Sequence, residues 1–154
     1  MKEIVSLEET INSIYMDVIY PFEFTIIEQQ EFSGGALIKY SGRYFQIEFT
    51  NDRGIIEVGV GPLEEEWIVG VENINAFLTL KELGRNVSAA DKKLIIANRL
   101  GHNEQAAFLK TSYEAIGAAL SPSNSAKTRK AINEHYEERW GFGMYEIQPP
   151  SDPS

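Results

Sequence analysis

Two histidines, His102 and His135, are the only side chains in the sequence whose ordinary pKa lies near neutrality, so acid–base chemistry would have to start from them. His102 stands two residues before Glu104, the His-x-Glu spacing with which zinc deaminases set a metal ligand beside a proton-transferring carboxylate. Those sites also need two cysteines, and this chain has none. His135 lies in Asn133-Glu134-His135-Tyr136-Glu137-Glu138-Arg139, with Glu138 and Arg139 three and four residues further along the same helical face. One histidine among flexible carboxylates makes a poor metal shell. Without cysteine there is also no thiolate nucleophile, iron–sulfur cluster or disulfide. The expectation is a chain with no catalytic residue, no metal and no cofactor; a small enzyme with a site around His102 or His135 is the alternative.

Gly59-Val60-Gly61-Pro62 has the glycine spacing of a weak phosphate cradle, but three glutamates follow it and would repel the anion. Ending a strand is the simpler role. Glu64-Glu65-Glu66 immediately precedes Trp67. Three carboxylates on a loop create a negative potential that speeds encounter with a basic partner, and a neighbouring indole can anchor the contact. A solvated loop beside a buried indole explains the same residues without a partner. Asp52, Glu57 and Glu72 deepen the potential if the strands pair as read below, and Tyr44, Gln46 and Glu48 occupy the outward positions of one strand. The candidate partner-binding residues are therefore Asp52, Glu57, Glu64, Glu65, Glu66, Trp67, Tyr44 and Glu48. Lys127, Arg129 and Lys130, near the start of a helix, form a basic cluster that a surface turn explains equally well.

Charge supports this choice. Fourteen Lys and Arg against twenty-three Asp and Glu give a net charge of −9, which repels phosphate backbones and anionic lipid surfaces. Residues 1–87 hold six basic and fifteen acidic side chains, whereas residues 88–154 hold eight of each, so the whole surplus lies in one half. The expected partner is a basic protein, with no nucleic acid and no membrane. The first ten residues carry acidic groups and no long apolar run, so they read as neither a signal peptide nor an anchor, and the cytoplasm is the expected address.

The elements that must position these residues follow from pattern. At 154 residues and 43% hydrophobic, the chain can bury one proper core. Ser6 and Glu9 form a capping-box signature ahead of Leu7, Ile11, Ile14 and Val18, which predicts a first helix ending at Pro21. Alternation then predicts strands from Phe22 to the Ser33-Gly34-Gly35 turn, over 36–40, over 44–50 with Phe45, Ile47 and Phe49 facing one way, and over 55–60, with Trp67 to Val71 as a possible fifth. Helices follow, capped by Asn73, by Ser88 with Asp91, and by Asn103, then a fourth after residues 121–125 with Ile132, Tyr136 and Trp140 on one stripe. The fold class is α+β: an N-terminal helix, a four-stranded or five-stranded antiparallel meander, and three to four C-terminal helices, in one domain over 1–148 with a frayed tail over 149–154.

The run Ile38-Lys39-Tyr40-Ser41-Gly42-Arg43-Tyr44-Phe45-Gln46-Ile47-Glu48-Phe49, the stretch Arg53 to Val58-Gly59-Val60-Gly61-Pro62-Leu63, Trp67-Ile68, and the helix over 74–83 together resemble small bacterial immunity proteins of polymorphic-toxin and contact-dependent inhibition systems. The resemblance covers residues 36–84. It implies an α+β protein that blocks a toxin, often a nuclease, by binding it, and brings no catalytic residues with it. The expected function is thus a non-catalytic, immunity-type inhibitor of a basic toxin. A secretion-type chaperone that holds an extended client segment is a second binding alternative.

Overall fold

In the computed structural model, residues 2–140 are described, with side chains to His135. The expected tail from Pro149, and the placing of Tyr136 and Trp140 on a buried stripe, lie outside the described residues and side chains. The first helix begins at Lys2, earlier than the Ser6–Glu9 signature suggests: α1 spans Lys2–Thr10, a π-helical turn covers Ile11–Tyr15, and α2 covers Met16–Ile19. Ser6 is therefore a helix-interior residue. Of the predicted stripe, Leu7, Ile11 and Val18 are buried and Ile14 is half-buried, while Ile4 and Tyr15 complete the buried face.

The strand expected from Phe22 starts three residues later. Glu23 takes a left-handed φ of 57°, the Phe24 amide reaches back to the Ile19 carbonyl at 3.0 Å, and the Glu23 amide to that of Tyr20 at 3.1 Å. These paired bonds are a Schellman cap, so Phe22 and Glu23 close the helix and do not open the strand.

Five strands follow as an antiparallel meander in chain order: β1 Thr25–Phe32, β2 Gly35–Ser41, β3 Gln46–Asp52, β4 Ile55–Gly61 and β5 Val69–Gly70. Between β3 and β4 the turn residues Arg53 and Gly54 both have positive φ, 53° and 94°, the backbone that matches a two-residue hairpin to the strand twist. The Asn51 side chain accepts the Gly54 amide at 2.8 Å and holds the turn. Register pairs Gln46 with Gly61 and Asp52 with Ile55. Phe45, Ile47 and Phe49 share the core face as expected, all fully buried.

Helices α3 (Val71–Leu83), α4 (Ala89–Ala97), α5 (His102–Thr111), α6 (Tyr113–Ala119) and α7 (Ser125–Trp140) complete the described residues. Ser88 caps α4 through the Asp91 amide at 3.1 Å. Asn73 and Asn103 lie just inside their helices, whose caps are Gly70 and Gly101; at Gly101 the amide donates to Glu104 Oε1 at 3.1 Å. The helix expected around Phe108 to Leu120 is broken at Ser112 into α5 and α6. Leu109, Tyr113, Ile116, Leu120 and Ile132 join the same core as α1 and the sheet, so the helical half is built onto the sheet face and is no separate lobe. Each fully buried Leu, Ile or Phe in that core contributes roughly 1.5–3 kcal/mol.

Candidate functional site

Two grooves adjoin at one end of the sheet, where the β2–β3 turn meets α5, α6 and the loop after β4. Tyr44, 45% exposed, projects from that turn and forms the shared wall of two grooves. α6 sets its position. A Cβ at Gly117 would stand 2.9 Å from the Tyr44 Cβ, so only glycine allows the turn to approach this closely.

The first groove, about 280 Å³, is lined by Tyr44, Pro62, Leu63 and Leu120, with Glu64 and Glu65 among its walls and Pro122 and Ser125 closing it. Its acidic loop is held firmly. The Gln46 amide donates to the carbonyls of Pro62 at 3.0 Å and Leu63 at 2.8 Å, and the Trp67 indole N–H donates to Glu65 Oε2 at 2.5 Å. Trp67 is only 8% exposed, with the Arg129 guanidinium 5.3 Å from its ring centre. The expectation of an accessible indole anchor is therefore corrected: Trp67 supports the loop from inside.

The second groove, about 460 Å³, lies on the other side of Tyr44, between Pro21, Phe22 and Glu23 on the helix cap and Lys110, Thr111, Tyr113 and Glu114 at the α5–α6 junction. Its floor is aromatic: Phe22 stacks on Tyr113 with ring centres 4.0 Å apart, and Tyr113 also meets Tyr44 at 5.7 Å. Arg43 lies over the Tyr44 ring at 5.5 Å. Burial holds the Tyr113 phenol above its usual value; Tyr44 adds to the shift, Arg43 opposes it, and Glu23 adds.

The other candidates fall elsewhere. Asp52 and Glu57 are exposed, but register puts Asp52 at the far end of β3 from the acidic loop, about 20 Å away at ~3.4 Å per residue. The anticipated single acidic patch is thus divided along the sheet. Glu48, expected to face solvent, is only 5% exposed. It is on the central strand in a cross-strand row with Lys39 and Gly59, and Lys39 Nζ lies 3.5 Å from its carboxylate and 3.9 Å from that of Glu28. Burial raises the Glu48 pKa, Lys39 lowers it by charge and hydrogen bonding, and Glu28 adds to the rise. Glu48 Oε1 has no hydrogen-bond partner. Glu72 is taken up by Arg99 at 3.7 Å and by the Leu100 amide at 2.7 Å. Glu66 is exposed on the loop.

His102 opens α5, and its Nδ1 lies 2.6 Å from the hydroxyl of buried Tyr15. Neither His102 nor His135 lines either groove. Among the described residues no group of three or more His, Asp and Glu side chains is arranged to hold a metal.

Of the residues that matter here, sequence reading finds Tyr44, Glu64 and Glu65 and misses Arg43, Lys110, Phe22, Tyr113 and Leu120. A tight turn carrying Arg43-Tyr44 between two apolar strands is the one local signal for them. Compared with protein-family models, curated proteins and solved structures, the chain matches none of them.

Proposed function

We propose that the protein is a non-catalytic, acidic binding module of the cytoplasm, an immunity-type inhibitor that neutralises a basic protein toxin by direct contact. The observation that carries this reading is the groove beside Tyr44, whose apolar lining of Leu63, Leu120 and two prolines is edged by Glu64 and Glu65. Such a site takes the stem of a lysine or arginine against apolar surface and its head against carboxylates. The chain charge of −9 favours encounter with a cationic protein and disfavours nucleic acid and anionic membranes. No helix among the described residues is long and apolar enough to cross a membrane.

The test is affinity capture from the native host with wild-type protein and with the Glu64→Lys, Glu65→Lys, Glu66→Lys triple variant. The expected result is one basic protein retained by the wild type, with association slowed roughly tenfold or more at low salt in the triple variant and less so at high salt. Equal association rates for both proteins would remove the loop from the interface.

A specific feature favours a secretion-type chaperone as the second reading. β1 is one of the two edge strands and is exposed along most of its length, with Ile26 and Ile27 at 51% and 55%. Such an edge can pair with an extended client segment. Loss of client binding in an Ile27→Lys variant, with the triple glutamate variant unaffected, would select this reading over the first.

A further inference from the structure

We infer that the two grooves flanking Tyr44 act as one dipolar channel for an extended segment of a partner protein, with a lysine or arginine of that segment at Glu64 and Glu65 and a carboxylate at Arg43 and Lys110. The inference rests on the reading that this end of the molecule binds a protein and adds which segment it accepts.

Three observations lead to it. The grooves are adjoining, because Tyr44 lines both. Their charges differ: the smaller groove has only carboxylates among its ionisable groups apart from the Tyr44 phenol, while the larger contains Arg43 and Lys110 in a chain that is otherwise strongly acidic. Neither cation is in an ion pair among the described residues, and Arg43 spends its guanidinium on the Tyr44 ring, from which it can still donate.

Glu23 and Glu114 line the larger groove as well. They balance its two cations, so a free anion entering alone would gain little Coulomb energy. A segment that also places a cation beside Glu64 and Glu65, and an apolar or aromatic side chain over the Phe22–Tyr113 stack, gains from all three parts together. The Glu23 backbone is in the left-handed region and fixed by the helix cap, and the Gln46 tether fixes the opposite wall. A channel already shaped in this way loses little entropy when filled.

The experiment uses three probes, the pentapeptides acetyl-Lys-Ala-Phe-Ala-Asp-amide, acetyl-Lys-Ala-Phe-Ala-Asn-amide and acetyl-Gln-Ala-Phe-Ala-Asp-amide, titrated into isotope-labelled full-length protein and followed by amide chemical shifts, which detect millimolar binding. The doubly charged peptide should bind at least fivefold tighter than either singly charged one, with shifts at Arg43, Tyr44, Glu64 and Tyr113. In the Arg43→Glu, Lys110→Glu variant the advantage of the Asp should vanish while the affinity for the Lys-only peptide stays. Glu64→Lys with Glu65→Lys should do the converse.

No binding to wild type, equal binding of all three peptides, or equal loss of all three in both variants would each overturn the channel. So would inorganic phosphate shifting Arg43 and Lys110 as strongly as the Asp-bearing peptide does, which would mark a small-anion site. The two readings fail separately: native-host capture lost in the Glu64 and Glu65 variants but retained in the Arg43 and Lys110 variant would keep the inhibitor and reject the channel, whereas capture of no basic protein by the wild type, with the peptide preferences intact, would reject the inhibitor and keep the channel.

Discussion

The hydroxyl of Tyr15 and Nδ1 of His102 meet at 2.6 Å across 87 residues of chain, joining the π-helical turn in the first helix to the start of α5. Burial holds the Tyr15 phenol well above its usual value, so it keeps its proton and can donate to the imidazole. The contact ties the N-terminal helix to the helical half. His102 lines neither groove.

Tyr15→Phe should lower stability by about 1–2 kcal/mol, because the imidazole nitrogen loses its partner in a partly buried site. The pH dependence has a definite sign. A phenol with a raised folded-state pKa is protonated in both states below about pH 10, and above that value only the unfolded state ionises freely, so stability falls as pH rises. Urea unfolding across the alkaline range should show that slope in the wild type and a flatter one in Tyr15→Phe. An equal slope in both would assign it to Tyr40 or Tyr113, whose phenols are also raised.

The Lys39–Glu48 pair gives a second prediction. Lys39→Met alone leaves a buried carboxylate without its cation and should cost about 3 kcal/mol near neutral pH. Lys39→Met combined with Glu48→Leu removes both charges and should be as stable as wild type or more so. Since the Glu48 pKa is raised in the folded state, its contribution is fullest below about pH 4 and is lost as pH climbs through the folded value. The penalty in Lys39→Met should therefore shrink on acidification, which chemical denaturation at acid and neutral pH would reveal.

Gly117→Ala tests how Tyr44 is positioned. The added methyl would stand 2.9 Å from the Tyr44 Cβ, so the β2–β3 turn or α6 must move. Overpacking of this kind costs about 1–3 kcal/mol. Thermal unfolding should register the loss, and amide shifts should concentrate at the β2–β3 turn and along α6. An unchanged melting temperature would show that the turn yields freely.

At Ser88, substitution by Ala removes the hydroxyl that accepts the Asp91 amide and should cost about 1 kcal/mol. Hydrogen exchange should rise in the first turn of α4. Faster exchange throughout α3 as well would mean that the two helices open as one unit.

The meander was legible because Phe45, Ile47 and Phe49 alternate cleanly and Arg53-Gly54 sits where a tight hairpin needs positive φ. The strand start is not legible at Phe22, because alternation continues through a helix cap and only the backbone reveals that Glu23 is left-handed. The burial of Glu48, and the choice between a buried and an accessible Trp67, escape local pattern for a related reason. Residue type does not report which tertiary neighbours enclose a side chain, whether Arg129 over an indole or Lys39 beside a carboxylate. The groove around Tyr44 combines residues 22, 43, 64, 113 and 120, and no local pattern joins positions so far apart.

Gln46 is the fixed point of the acidic loop. Its amide grips the successive carbonyls of Pro62 and Leu63, so the backbone leading into Glu64 and Glu65 is held by a residue that carries no charge and need touch no visitor. The loop is cast before it is used. Recognition can then be retuned by exchanging Glu64 or Glu66 on a backbone that Gln46 holds, whereas Glu65 also anchors the Trp67 indole, and replacement of the single glutamine would blur every such adjustment at once.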